Sequence, residues 1–117
     1  MKPAQIDLTI EQGARFDKVL YYKPNNVAAD LTGYTARMQV RQTVASNAVL
    51  LELTTENSRI TITADEGKLT LFVASADTAA LTFTDAVYDL ELVDGDDEVI
   101  RLCRGAVHLE KEVTRGV

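Results

Sequence analysis

The stretch "YDLELVDGDDEVIRLC", Tyr88–Cys103, decides the fold. Before its glycine, Tyr88, Leu90 and Leu92 alternate with Asp89 and Glu91; after it, Ile100 and Leu102 alternate with Arg101 and Cys103. Successive side chains of a β-strand point to opposite faces, so each flank reads as a strand with one buried and one wet side. Between them lie Asp94, Gly95, Asp96, Asp97 and Glu98. Asp and Gly adopt the backbone angles of a tight turn, and charge at its tip resists pairing with a foreign strand. The stretch therefore reads as a β-hairpin.

The same acids invite a metal reading. A helix-flanked calcium loop needs oxygen ligands at alternate positions, glycine at the sixth and a bidentate glutamate at the twelfth. Counted from Asp94, positions one, three and five are Asp94, Asp96 and Glu98, but the sixth is Val99 and the twelfth Gly105. Two requirements fail, and only an irregular calcium site on Asp94, Asp96 and Glu98 stays open. Paired-carboxylate catalysis needs a cleft that separates two pKa values, which a solvated turn does not provide.

The period of two recurs along the rest of the chain. Ile6, Leu8 and Ile10 share a phase, as do Tyr34, Ala36, Met38 and Val40; Val49, Leu51 and Leu53; Ile60 and Ile62; and Leu69, Leu71 and Val73. Val107 and Leu109 continue it, with Val113 as a further candidate, and Phe16, Leu20 and Tyr22 share a face in a more mixed segment. Turn-forming clusters separate these runs: "EQG" (11–13), "KPNNVAADLTG" (23–33), "TTENS" (54–58) and "ADEG" (64–67). About eight strands at short spacing predict an all-β fold, an antiparallel sandwich or small barrel. One segment departs from the pattern. "ASADTAALTF" (74–83) predicts a short helical turn near residues 75–80 capped by Ser75, with Leu81 returning to the core.

Composition sets the bounds. With 117 residues, 46% hydrophobic and 26% charged, the chain suits one domain, 1–117, with 114–117 as a loose C-terminal tail. A net charge of −6 opposes unassisted binding to nucleic acid. No run is apolar enough for a membrane helix. Asp7 and Glu11 interrupt the N-terminus before any apolar block forms, so synthesis in the cytoplasm is expected.

Chemistry has few residues to work with. Cys103 is the only cysteine and His108 the only histidine. No internal disulfide, thiolate cage or two-histidine zinc site can form. His108 lies out of phase with Val107 and Leu109, which puts it on the solvent face, and no serine sits in a nucleophile elbow. The glycines form no phosphate loop. No catalytic residue and no cofactor is expected.

Three segments taken in order, "DLTGYTARMQVR" (30–41), "LELTTENSRITITADEGKLTLFVASADTAAL" (51–81) and "YDLELVDGDDEVIRLCRGAVHLEKEVTR" (88–115), resemble short structural proteins of tailed bacteriophages and prophages. In that group a Leu-Thr-Gly-Tyr turn feeds an alternating strand ending in arginine. A Tyr-Asp-Leu strand then passes through an acidic hairpin to a basic strand, a glycine and a closing Val-Thr-Arg. The resemblance implies an immunoglobulin-like β-sandwich, non-enzymatic, assembled into the virion and tail- or baseplate-associated. It implies contacts with other virion proteins or with copies of itself. Tyr21, Tyr22, Val27 and Phe83, in or near irregular segments, are the interface candidates. The alternatives from residue chemistry are a carbohydrate- or receptor-binding module, disfavoured by the absence of tryptophan, and a small acidic inhibitor or immunity-type protein.

Overall fold

The computed structural model describes residues 2–115. Among them nine strands run in chain order: β1 (Ala4–Gln5), β2 (Leu8–Glu11), β3 (Phe16–Tyr21), β4 (Thr35–Arg41), β5 (Leu51–Thr54), β6 (Ile60–Thr63), β7 (Lys68–Val73), β8 (Asp85–Val93) and β9 (Val99–Glu110). One helical turn, α1 (Ser75–Ala79), lies between β7 and β8. The strands form two sheets. The larger runs β1-β9-β8-β4-β5, with β2 continuing β1 along β9, and the smaller runs β3-β7-β6. Two sheets packed face to face, with the chain crossing between them, make an immunoglobulin-like sandwich: the alternation predicts a sandwich or barrel, and the resemblance implies the immunoglobulin-like form.

The inner faces carry the in-phase residues. Met38, Val40, Leu53, Leu69, Leu71, Leu90 and Leu92 are all sequestered from solvent. Truncating Met38 or any one of these leucines to alanine costs about 2–5 kcal/mol, the lost transfer energy plus the cavity left behind. Leu81 also reaches the core. The helical turn forms where expected, but its cap differs. Ala74 holds the N-cap position with extended backbone and Ser75 is the first helical residue. The polar anchor is instead Thr78, which is fully buried: its Oγ1 accepts the Gly13 amide at 3.0 Å and donates to the Ala14 carbonyl at 2.8 Å. Thr78 thus ties α1 to the β2–β3 turn.

Departures from simple alternation each have a local cause. The fold is not antiparallel throughout: β1 and β2 both run parallel to β9, from Ala4 opposite Cys103 to Glu11 opposite Glu110. The break between β1 and β2 falls at Ile6 and Asp7, beside Gly105. A Cβ at residue 105 would collide with the Ile6 carbonyl, so glycine is what allows the first strand to approach. A bulge in β9 makes Leu90 face Cys103 and Glu91 face Arg101, which leaves Leu102 as the extra residue. The inward phase therefore passes from Ile100 to Cys103, and Leu102 is only half-buried. Val49 does not join β5 and is exposed, and Val113 lies beyond β9 and is exposed. Of the expected tail, Arg115 Nη1 donates to the Glu112 carbonyl at 2.6 Å, and residues 116–117 lie outside the described residues.

The turns confirm their residue chemistry. Tyr34 donates its amide to the Leu31 carbonyl at 3.0 Å across a turn whose third residue, Gly33, has φ +83°. That geometry is a type II turn, which needs positive φ at this position.

Candidate functional surface

The acidic hairpin tip is built around Asp94. Its Oδ1 accepts the amides of Asp96 at 2.8 Å and Glu98 at 3.0 Å. Its carbonyl accepts the Asp97 amide at 3.1 Å, and its own amide donates to Glu98 O at 3.0 Å. This is a three-residue hairpin loop whose last residue must take positive φ. Asp97 occupies that position at φ +64°, and Gly95 does not. One oxygen of the Asp94 carboxylate is thus committed to two backbone donors. No group of three or more His, Cys, Asp or Glu side chains suited to a metal is assembled among the described residues.

His108 stands on the outer face of the large sheet, as its phase predicts, directly opposite Asp85 on β8. Its Nδ1 lies 2.9 Å from Asp85 Oδ1 and its Nε2 3.4 Å from Glu110 Oε2. The hydrogen bond to the Asp85 carboxylate stabilises the imidazolium and raises the histidine pKa above its ordinary value. No serine or cysteine nucleophile is among these hydrogen-bonding partners.

Cys103 is fully buried and faces the phenol oxygen of Tyr88 at 3.6 Å. Tyr88 has a single hydrogen and donates it to the Ile6 carbonyl at 2.6 Å, so the thiol is left to act as the donor to the phenol oxygen. Burial pushes both groups' pKa values up. Neutral and enclosed, this pair locks the first strand onto β9 and offers no reactive thiolate.

The rest of the large sheet's outer face is a lattice of charges. Arg37 pairs with Glu91 at 2.9 Å, and Arg101 reaches Glu91 at 3.4 Å and Asp89 at 3.5 Å. Arg41 folds the 42–50 loop back by donating to the carbonyls of Ser46 and Asn47, at 2.7 and 2.9 Å. A shallow open depression lies here among Gln5, Gln39, Arg41, Asp89, Arg101 and Arg104. Pairs this exposed contribute about 0–1 kcal/mol each.

The small sheet is different. Its outward positions carry Val19, Tyr21 and Phe72, which are 44%, 50% and 37% exposed. Thr61 and Thr70 lie beside them in the ladder. Tyr21 also carries Lys23 Nζ 4.8 Å from its ring centroid.

The two sheets also treat their edges differently. At β5, Asn57 takes the place of a missing neighbour strand. Its Oδ1 accepts the Thr54 amide at 2.9 Å, and its Nδ2 donates to the Glu52 carbonyl at 3.0 Å. Arg59 Nη1 adds a second donor to that carbonyl at 2.8 Å, while Arg59 Nη2 is held by Asp77 at 3.1 Å. At β3 the hydrogen-bonding parity leaves the edge without such a plug among the described residues. The Tyr22 amide donates to Gly67 O at 2.7 Å and the Phe72 amide to Arg59 O at 2.8 Å. Even-numbered residues of β3 therefore bond to β7, and Asp17, Val19 and Tyr21 turn their backbone groups outward.

Of the four interface candidates, Tyr21 and Val27 are exposed and Tyr22 is half-buried against the core. Phe83 is corrected: at 7% exposure it packs into the core, because the segment after α1 returns inward with Leu81. Val19 and Phe72 were missed by sequence reasoning. Their signal was present, since both are apolar residues out of phase with Leu20, Leu71 and Val73 on strands whose other face is buried.

No family model and no curated protein matches this chain. Among solved structures, extracellular domains 3–5 of Drosophila OTK are similar over 96% of this chain at 13% identity, with a TM-score of 0.42. The chain spans 35% of the length of that structure.

Proposed function

We propose that this chain is a non-enzymatic structural component of a bacteriophage or prophage particle, tail- or baseplate-associated, that works through protein–protein contacts. The observation that carries this reading is the order of the three motif blocks along nearly the whole chain, from the Leu31–Tyr34 turn through the Asp94–Glu98 hairpin to Val113–Arg115. Two features of the molecule support it. Its buried polar side chains, Thr78 and the Tyr88 phenol, are spent on holding strands and turns together. Val19, Tyr21 and Phe72 gather on the outer face of the small sheet, an apolar patch of the kind a contact surface uses.

The chain is made in the host cytoplasm and resides in the virion on this reading. The test is fractionation of purified particles followed by peptide mass spectrometry of separated tails and heads. Recovery of the chain at fixed stoichiometry in the tail fraction is the expected result. Its absence from washed particles, with no virion genes flanking its own, would sink the proposal.

A further inference from the structure

We infer that β3 is a self-association edge: two copies pair their β3 strands antiparallel about a two-fold axis at Leu20, joining the two small sheets into one six-stranded sheet. The inference goes beyond the assembly role proposed above and stands on strand geometry, so the two can fail separately.

An unpaired strand edge is a ready template for another strand, and folded proteins usually block it. This molecule blocks β5 with Asn57 and Arg59 and leaves β3, two residues longer, without such a plug among the described residues. The open edge presents the backbone groups of Asp17, Val19 and Tyr21, and only odd-to-odd pairing lets two such edges bond to each other.

Charge favours the Leu20 register over a shift toward Val19. A two-fold centred on Leu20 sets Val19 opposite Tyr21 and Asp17 opposite Lys23, each twice by symmetry. Shifting the axis by one residue to Val19 keeps the parity but sets Arg15 opposite Lys23, two like charges. The Leu20 register also sets Lys18, the inward-phase charge of this edge, opposite Tyr22 and away from its own copy. Val19 and Tyr21, half exposed in one copy, cover each other across the seam.

The experiment is sedimentation velocity and native mass spectrometry of the full chain across a concentration series, with hydrogen exchange read at individual amides. The expected result is a concentration-dependent dimer with the Val19 and Tyr21 amides protected as it forms. Val19→Pro removes an outward N–H that β7 does not use, so the monomer should keep its circular dichroism while the dimer is lost. Asp17→Lys and Lys23→Asp should each weaken the dimer by about tenfold, and the double exchange should restore it. A chain that stays monomeric throughout, or a dimer indifferent to Val19→Pro, overturns the inference, whatever particle fractionation finds. A dimer lost in both single charge variants but not restored by the double exchange overturns the register and with it the pairing.

Discussion

The Tyr88 phenol donates to the Ile6 carbonyl at 2.6 Å, joining residues 82 positions apart where the first strand breaks between β1 and β2. That carbonyl points away from the ladder, and Asp7 supplies the replacement acceptor: its Oδ1 takes the Ala106 amide at 2.9 Å. Tyr88→Phe leaves the carbonyl without its donor and should destabilise the fold by about 1–2 kcal/mol, read as a lower urea midpoint at unchanged m-value. The same burial makes the protein sensitive to alkali. Tyr88 and Cys103 both have folded pKa values above their unfolded ones. Their contribution is complete below the unfolded values and is lost as pH rises past about 8.5 for the thiol and about 10 for the phenol. Melting temperatures should therefore fall across that alkaline window, and less steeply in a Tyr88→Phe, Cys103→Ala double variant.

Asn57 is expected to matter more for solubility than for stability. Asn57→Ala removes the groups that occupy the outward amide of Thr54 and carbonyl of Glu52. The stability loss should be about 1 kcal/mol. The larger effect should be in light scattering, where species exceeding those of the parent chain appear because a second strand edge becomes available. Unchanged scattering would show that Arg59 alone closes the edge.

The hairpin tip makes an inverted prediction about glycine. Asp97, not Gly95, holds the positive φ, and a Cβ at Gly95 would meet nothing within 4 Å. Gly95→Ala should stabilise by about 0.4–1 kcal/mol through the unfolded chain. Asp97→Gly should stabilise by ~0.5 kcal/mol by relieving left-handed backbone. Asp94→Ala should cost about 1 kcal/mol because two amides lose their acceptor. All three are measurable by thermal melts.

His108 should titrate above its ordinary value of 6.5 because of Asp85. A raised folded pKa means that the stabilisation is present below 6.5 and disappears as pH rises through the folded value. An NMR titration of the imidazole checks the shift, and Asp85→Asn should bring the midpoint back toward 6.5. A midpoint unmoved by that substitution would show that Glu110, not Asp85, governs the ring.

Strand identity was legible in the residues because the pleat is local: alternation at Tyr88–Leu92 or Leu69–Val73 needs no knowledge of partners. The hairpin at Asp94–Glu98 was legible for the same reason, since the turn closes on itself. Phe83 misled because a lone aromatic after a helical turn carries no phase, and Ser75 because a capping side chain counts only if the backbone places it one residue earlier. What the chain alone determined was therefore the all-β class, the turns and most of the inward residues. Only the tertiary structure decided that β1 and β2 run parallel to β9, that Leu102 is a bulge, that Asn57 closes one edge and that β3 leaves another open. Each of those depends on which strands end up as neighbours and which backbone groups are left without one, and the choice of neighbouring strands leaves no periodic mark on the residues that provide it.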